Sequence, residues 1–186
     1  MTKDPVEQEL YYLRKSVHGF MKSIPSYNPA GPILEVGRMF PEGKVYESFP
    51  DLFIDSKDLF QGQQLLYLDI DPQVKPDICD DVVNLRRHVS DGSLGAVVAV
   101  HVLEHVRQFW TLPDIFAAVL KPQGLLFIQT PWNFRFHGPR PDCWRISDDG
   151  YEELFGKHFE ILKLEKYAPF GQPLHPLTIS VVMRKK

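Results

Sequence analysis

The sequence has 186 residues, of which 44% are hydrophobic and 24% are charged, and this composition excludes a chain that is disordered throughout. The length fits one hydrophobic core, so we expect residues 1–186 to form a single domain. A formal net charge of -3 argues against non-specific nucleic-acid binding, which requires a basic surface. The sequence contains no long apolar run, no signal-peptide core and only two cysteines, so we expect a cytoplasmic protein without membrane or nucleic-acid partners. The composition does not indicate an oligomeric state.

An amphipathic helix is predicted at the start of the chain. Apolar residues recur there at alternating spacings of four and three, which places them on one stripe of a helix. The stripe consists of Val6, Leu10, Leu13, Val17, Phe20 and Ile24. Asp4 is a suitable N-cap, Pro5 suits the first helical position, and Glu7 has the spacing of a capping box. With Pro25 as its end, residues 1–25 are predicted to pack as a helix on the core.

Short apolar runs follow, separated by helical or polar stretches. They comprise residues 32–37, 65–71, 94–100 and 124–131, with a weaker run at 76–79. The run at 94–100 is almost wholly apolar, as expected for a strand that is buried on both faces of a parallel sheet. The alternation of such runs with other segments is typical of a doubly wound α/β sheet, with 76–79 as an edge strand.

The end of the chain has a different pattern. Residues 159–167 and 177–185 are rich in residues that favour strands, and the nine residues between them include three prolines and a glycine. A parallel crossover needs about a dozen residues or more, usually helical, so these two strands are expected to pair antiparallel. The predicted fold is therefore α/β, a Rossmann-like doubly wound, mostly parallel sheet with a C-terminal antiparallel strand pair and helices on both faces.

Ligands of open α/β sheets bind beyond the carboxyl ends of the strands, and polar residues occupy these positions here. Glu35 and Gly37 close the first apolar run. Gly37 would allow the backbone to approach a ligand closely, or it makes an ordinary tight turn. Asp69 and Asp71 end the second run. A carboxylate at this position can accept both hydroxyls of an adenosine ribose, and Asp69 is preferred because it continues the strand.

A second acidic pair follows the weak run at 76–79. Either Asp80 or Asp81 could accept a hydrogen bond from an adenine amino group, with Val82 or Val83 against the face of the ring. A solvated acidic turn explains the same residues equally well.

The segment His101-Val-Leu-Glu104-His105 has the spacing of an inverted zinc-protease motif. That motif requires one helix to carry both histidines and a further ligand downstream, for which Glu152 and Glu153 are available. Here the motif directly follows a predicted buried strand, so His101 is expected at the end of that strand. We therefore expect no metal site.

Together these segments resemble class I S-adenosylmethionine (SAM)-dependent methyltransferases, and within them the small type 11 group. The resemblance rests on ILEVG (33–37), YLDID (67–71), PDICDDVVNL (76–85), AVVAVHVLEHV (96–106), VLKPQGLLFIQTP (119–131) and FHGPRPDCWRIS (136–147). It implies SAM as the cofactor and methyl transfer to a small-molecule acceptor. The residues that it implies for binding SAM are Glu35, Gly37, Asp69, Ile70, Asp81, Val82 and His101.

Methyl transfer requires an acceptor atom held in line with the methyl group, and no protein nucleophile. A general base, where one is used, is expected on the long loop at 130–146, and His137 and Asp142 are the candidates. Arginines on this loop (Arg135, Arg140 and Arg145) could hold an anionic acceptor or could be paired within the protein. Its aromatic residues (Trp132, Phe134, Phe136 and Trp144) could form a wall for the acceptor or could close the core.

The sequence departs from the family pattern at three places. Gly37 is followed by Arg38, Met39 and Phe40 where the family has further glycines, Gly95 replaces an expected aspartate, and Lys-Pro-Gln-Gly replaces Lys-Pro-Gly-Gly. These departures leave open a SAM-binding or regulatory module that has lost catalysis. A nicotinamide-dependent oxidoreductase is disfavoured, because it requires Gly-x-Gly-x-x-Gly after the first strand.

Overall fold

The structure is a computed structural model that describes residues 4–37 and 49–186. The strands are β1 (Ile33–Val36), β2 (Leu65–Asp69), β3 (Ile78–Cys79), β4 (Leu94–Val100), β5 (Leu120–Pro131), β6 (Phe159–Tyr167) and β7 (Thr178–Lys185). They form one seven-stranded sheet in the order β3-β2-β1-β4-β5-β7-β6. Strands β1 to β5 pair in parallel, whereas β7 pairs antiparallel with both β5 and β6. The predicted mostly parallel sheet with a C-terminal antiparallel pair is confirmed.

The α-helices are α1 (Pro5–Ser23), α2 (Ser56–Leu59), α3 (Leu112–Val119) and α4 (Asp148–Phe155). Several of the remaining connections contain only short 3₁₀ turns. Among the described residues, none of the helices combines the length and hydropathy that a bilayer span requires.

Helix α1 begins as predicted, because the Asp4 side chain accepts a hydrogen bond from the Val6 backbone N–H at 2.9 Å and Pro5 takes the first helical position. Its end differs, since the chain continues from Ser23 into a 3₁₀ turn that contains Pro25. The predicted buried stripe is wrong at its first member: Val6 is 55% exposed. The members of the stripe are fully buried only from Leu13 onward, whereas Leu10 packs at the border of a smaller buried cluster.

Helices cover both faces of the sheet, as predicted. On one face, Val17 and Phe20 of α1 pack against Ile33, Val98 and Phe127. The other face carries the larger cluster, which includes residues of α3 and α4. Because alternate residues of a strand point to opposite faces, the central strands are apolar on both sides, and this burial of apolar surface stabilises the layered structure.

Strand β5 begins earlier than the apolar run at 124–131 indicates. Leu120 already pairs with Leu94, and the register shifts before Ala96 pairs with Leu125. Gln123 lies within this irregular start at a φ of 63°, in the left-handed region that glycine prefers. In the family pattern Lys-Pro-Gly-Gly, a glycine occupies this position and adopts such a φ without strain. In this chain, glutamine adopts it instead.

Gly95 has a structural explanation. A Cβ atom built on this residue would lie 1.8 Å from the backbone oxygen of Ala30. The Gly95 N–H also donates to the Pro32 carbonyl at 2.8 Å, so the segment before β1 lies directly against the start of β4. An aspartate at this position would require the two backbones to separate.

We predict that Gly95→Ala destabilises the protein by about 1–3 kcal/mol, the range typical of overpacking, because a backbone oxygen cannot move as a flexible side chain can. Gly19→Ala is the matched control: Gly19 lies within α1 with no atom near the added methyl group. The control should stabilise by about 0.5–1 kcal/mol through helix propensity. Urea denaturation of both variants measures the two effects, and equal midpoints would contradict the close contact at Gly95.

Candidate functional site

The strands β1 to β4 are parallel, so their carboxyl ends lie on the same side of the sheet. We call these strand ends, with the residues that directly follow them, the rim. Backbone hydrogen bonds tie its segments together: the Gly37 N–H donates to the Leu68 carbonyl at 2.9 Å, and the Asp80 N–H donates to the Asp69 carbonyl at 3.1 Å. Gly37, Asp69 and Asp80 therefore lie side by side at the carboxyl ends of adjacent strands.

A cleft of about 590 Å³, including solvent at its mouth, lies between α1 and the sheet near the end of β1. Glu35 and Gly37 line it, together with Tyr67. Glu35 lies within β1 rather than after it and is the register partner of Tyr67 in β2. The cleft therefore contains two of the residues predicted to bind a cofactor.

Helix α1 contributes His18 and Met21 to the same cleft, although its amphipathic pattern predicted only a packing role. The His18 ring nitrogen Nδ1 lies 3.3 Å from the Leu52 carbonyl oxygen. The sequence signal for this role was the position of His18, a polar residue directly after Val17 of the buried stripe.

Gly37 adopts a φ of 74°, and a Cβ atom there would lie 2.4 Å from Cγ2 of Val102. The residue is therefore needed for a tight turn and for close packing against the segment after β4. Its predicted contact with a cofactor remains a prediction.

Asp69 ends β2, and its Oδ1 accepts the Asp71 backbone N–H at 2.9 Å. Asp71 has a local role, because its own Oδ1 accepts the Gln73 N–H at 2.9 Å and so caps a 3₁₀ turn. Between them, Ile70 is 67% exposed. The rim thus presents a carboxylate beside an exposed apolar side chain.

Asp80 is engaged in a local network. Its Oδ1 accepts a hydrogen bond from the Asn84 amide at 2.9 Å, and Oδ2 lies 2.7 Å from Nε2 of His88. These hydrogen bonds, with that of His88 first, lower the pKa of Asp80 to about 2. Asp80 is therefore ionised at neutral pH and already has partners.

Asp81 caps the following 3₁₀ turn, since its Oδ1 accepts the Val83 N–H at 3.1 Å, and it is exposed. Val82 is only 3% exposed and belongs to the main core. The residue therefore has almost no free surface for an adenine ring.

His101 follows β4 and adopts a φ of 55°. Its side chain is 12% exposed, and Nδ1 lies 3.5 Å from Oε1 of Glu104. Burial lowers the pKa of His101 to about 4, because desolvation of the charged ring outweighs the attraction of the Glu104 carboxylate. The imidazole is therefore neutral at pH 7.

Glu104 is the centre of a buried polar group that we call the Glu104 cluster, formed by His101, Glu104, His105 and His137. The Glu104 side chain is completely buried, and neither of its carboxylate oxygens has a hydrogen-bond partner. Its Oε1 lies 3.7 Å from Nε2 of His137 and 3.8 Å from Nε2 of His105. Ligand-type atoms of His101, Glu104 and His137 all lie within 4.8 Å of one another.

His137 and Asp142, the predicted base candidates, are close together. Nδ1 of His137 lies 3.2 Å from Oδ2 of Asp142, although the geometry does not give a hydrogen bond, and the His137 backbone N–H donates to the same oxygen at 3.0 Å. Arg145 donates to both Asp142 oxygens at 2.5 and 3.0 Å. This bidentate pair holds the pKa of Asp142 well below its usual range, so Asp142 is ionised and held in place.

The inverted zinc-protease arrangement is absent. His101 lies outside the 3₁₀ turn that contains Glu104 and His105, so no helix carries the motif. Glu152 and Glu153 are exposed on α4 and supply no ligand. His137, from the loop after β5, takes the third position beside Glu104, and the motif spacing could not have indicated it.

The predicted loop arginines are mostly paired within the protein. Arg145 binds Asp142, and Nη1 of Arg135 lies 2.6 Å from Oε2 of Glu9. Arg140 is exposed. An anion site formed by all three arginines would have to compete with these two ion pairs.

The loop aromatics divide in the same way. Phe134 is buried with Leu13 and Leu177. Trp132 packs against the main core, and the Trp144 indole N–H donates to the Val106 carbonyl at 2.9 Å. Phe136 is 76% exposed and is the member of the set with surface free for an acceptor.

Solved structures share this architecture over nearly the whole chain. A SAM-dependent methyltransferase from Archaeoglobus fulgidus matches with a TM-score of 0.66 and 13% identity, covering 92% of this chain and 94% of that one. The chain has the class I methyltransferase fold. The N-methyltransferase NodS from Bradyrhizobium japonicum, in complex with S-adenosylhomocysteine, matches this methyltransferase fold with a TM-score of 0.61 and 13% identity, covering 93% and 87% of the two chains.

The same fold includes a protein with a different activity. The [4+2]-cyclase SpnF matches with a TM-score of 0.57 and 14% identity, covering 92% of this chain and 81% of that one. No protein-family model matches the sequence, and no curated protein matches it. These structural matches show the class I methyltransferase fold. At such low sequence identity, the activity has to be argued from the site.

We predict that Asp142→Asn lowers the free energy of unfolding by about 1–3 kcal/mol, because it weakens a charge-assisted pair and the support of the loop. Since the pKa of Asp142 is lower in the folded protein than its ordinary value of 3.8, the unfolded state binds the extra proton. The contribution is therefore complete above that value and is lost as the pH falls below it. Urea denaturation of the wild type between pH 2 and 7 should show this loss, and Asp142→Asn should reduce it.

Asp91→Asn is the control for this prediction, because Asp91 forms a two-point ion pair with Arg86 in which both side chains are well exposed. Exposed pairs contribute at most about 1 kcal/mol. A loss for Asp142→Asn no larger than that of the control would contradict a structural role for the Asp142–Arg145 pair.

Proposed function

We propose that this protein is a SAM-dependent methyltransferase that acts on a small-molecule acceptor. The observation that supports this most directly is the arrangement at the rim. Asp69 ends β2 and the exposed Ile70 follows it, Asp81 follows the neighbouring β3, and the cleft with Glu35 lies at β1. This places polar and apolar groups suited to an adenosyl group on adjacent strands of a class I methyltransferase fold.

The residues present fit the adenosine part of SAM. Oδ1 of Asp69 is used by the Asp71 N–H, which leaves Oδ2 for a ribose hydroxyl. Ile70 offers an apolar surface to a ring, and Asp81 offers its second carboxylate oxygen to an adenine amino group. We assign Glu35 and Gly37 to the methionine part because they line the cleft, and His101 to the border between cofactor and acceptor because it follows β4.

When bound, SAM supplies an electrophilic methyl group on a sulfonium. The chain has to orient the two reactants and exclude water. Positioning of this kind can lower the activation free energy by about 7–11 kcal/mol. We assign Phe136 and His137, on the loop after β5, to the acceptor side of the site, because Phe136 is 76% exposed and the His137 ring lies beside that of His101. The formal charge of -3 favours a small acceptor over a nucleic acid, whose binding requires a basic surface.

Within this proposal, His137 and Asp142 have different roles. Asp142 is held by Arg145 and by the His137 backbone N–H, so it is a positioning residue. We assign His137 as the base that accepts a proton from the acceptor. Its Nε2 is buried 3.7 Å from Oε1 of Glu104 and Asp142 lies beside Nδ1, so the acceptor has to reach Nε2 on the side of Glu104. This division resembles the way in which a buried carboxylate orients the imidazole of a catalytic triad.

A second candidate function is a SAM-binding module without methyl transfer. The similarity to the cyclase SpnF favours it, because that protein is named for another reaction on this fold. The packing of Gly37 against Val102 also gives Gly37 a role without a ligand. SAM binding is expected in both cases, and only turnover distinguishes them.

We predict that isothermal titration calorimetry detects SAM binding and that Asp69→Asn weakens it about tenfold or more, because a carboxylate accepts ribose hydroxyls more strongly than an amide does. Asp71→Asn is the matched control, since asparagine can also cap the 3₁₀ turn that Asp71 caps. Folded protein that gives no heat with millimolar SAM contradicts the proposed cofactor. A larger effect of Asp71→Asn transfers the ribose role to that residue.

We predict that a screen of small-molecule acceptors with methyl-labelled SAM detects transfer, and that His137→Gln lowers kcat by about 10²–10⁴-fold with little effect on the affinity for SAM. His175→Gln is the control, because His175 is exposed on the segment between β6 and β7 and should retain full activity. Binding of SAM without transfer to any acceptor would support the module without catalysis.

A further inference from the structure

We propose that His101, Glu104 and His137 form a binding site for one divalent transition-metal ion. The three residues come from separate segments: the end of β4, the 3₁₀ turn after it, and the loop after β5. Their ligand-type atoms lie within 4.8 Å of one another. The fold therefore brings two imidazoles and one carboxylate to a single point inside the protein.

The spacing of the atoms suits a metal ion. Ligands at about 2.1 Å from a tetrahedral ion are about 3.4 Å from each other. Oε1 of Glu104 lies 3.5 Å from Nδ1 of His101 and 3.7 Å from Nε2 of His137. These separations are too long for hydrogen bonds, but an ion placed between the atoms would be within bonding distance of each.

The burial of Glu104 is the second observation. Its side chain has no exposure, and both carboxylate oxygens lack a hydrogen-bond partner. A buried carboxylate whose oxygens lack hydrogen bonds destabilises the folded protein unless a nearby positive charge compensates it. A metal ion between the Glu104 carboxylate and the two imidazoles would supply the compensating charge.

The neighbouring groups support the histidines as ligands. Nδ1 of His137 faces Asp142, and Arg145 fixes that carboxylate. Histidine ligands commonly have a carboxylate or carbonyl oxygen at the other ring nitrogen, which sets the ring orientation. His105 has the same arrangement, with Nδ1 at 2.8 Å from the Pro141 carbonyl oxygen and Nε2 at 3.8 Å from Oε1 of Glu104, so it borders the site.

The ligand set indicates the class of metal. Two imidazoles and a carboxylate favour zinc, iron, cobalt or manganese, whereas magnesium and calcium prefer sites made wholly of oxygen ligands. Three protein ligands leave at least one coordination position open, as in catalytic sites. This extension rests on the proposed function: an open position beside His137 suits an acceptor that carries a hydroxyl group. With the metal bound, Nε2 of His137 is a ligand and no longer accepts a proton.

The test is a zinc titration of metal-stripped protein by calorimetry, with circular dichroism to verify the fold of every variant. We expect one zinc ion per chain, a higher Tm with zinc, and a visible absorption band when cobalt replaces zinc. Glu104→Gln, which keeps the shape and removes the charge, and His137→Gln should each weaken zinc binding by about a hundredfold or more. His175→Gln is the control and should bind zinc as the wild type does.

Other outcomes overturn the proposal. Folded wild-type protein without zinc or cobalt binding contradicts the site, and zinc binding that survives both Glu104→Gln and His137→Gln places the ion elsewhere. Binding of magnesium but not zinc contradicts the class of metal. Because these titrations contain no SAM, their failure is separate from failure of the SAM titration, which tests the proposed function with metal-stripped and zinc-loaded protein.

Discussion

Parallel pairing of β1 with both β2 and β4 is the constraint on which the rest of the structure depends. It directs the carboxyl ends of the strands to one edge, so chemistry-bearing residues separated by long stretches of sequence become neighbours. The same pairing buries both faces of the central strands, which requires α1 on one side and α3 and α4 on the other. The order and direction of the strands therefore determine which residues meet at the site.

Two types of interaction share the rim. Around Asp69 and Asp81, side chains cap local turns and remain partly open to solvent, which suits reversible binding of a cofactor. Around Glu104, by contrast, polar groups are buried and incompletely paired. Low dielectric strengthens electrostatic interactions in such a place and makes missing partners costly. The second region is consequently the one in which a charged ligand would have the larger effect on structure and chemistry.

Sequence patterns predicted the strands and their pairing well, because continuous apolar runs between polar segments directly reflect burial on both faces. They also identified the helix cap at Asp4 and the residues at the strand ends. The exposure of Val6 was missed because periodicity records which residues share a stripe and not where the covered surface ends. The early start of β5 was missed because its first residues pair across a register shift, with Gln123 in the left-handed region.

The approach of His137 to Glu104 could not be predicted for another reason. The two residues are far apart in the sequence, and their contact depends on the path of the loop after β5, which the Asp142–Arg145 pair fixes. The motif at His101 to His105 indicated ligand chemistry, but its spacing suggested a helix, whereas the chain passes from a strand into a 3₁₀ turn. The residue types therefore indicated the chemistry of the site, but the positions of the side chains could be known only from the folded structure.

Helix α1 has a consequence for engineering of the chain. It covers Ile33, Val98 and Phe127 on one face of the sheet and also forms a wall of the cleft through His18 and Met21. A shortened protein that lacks this helix would expose an apolar sheet surface to water and would open the cleft on that side. The amino-terminal helix is thus as much a part of the ligand-facing surface as the strand ends are.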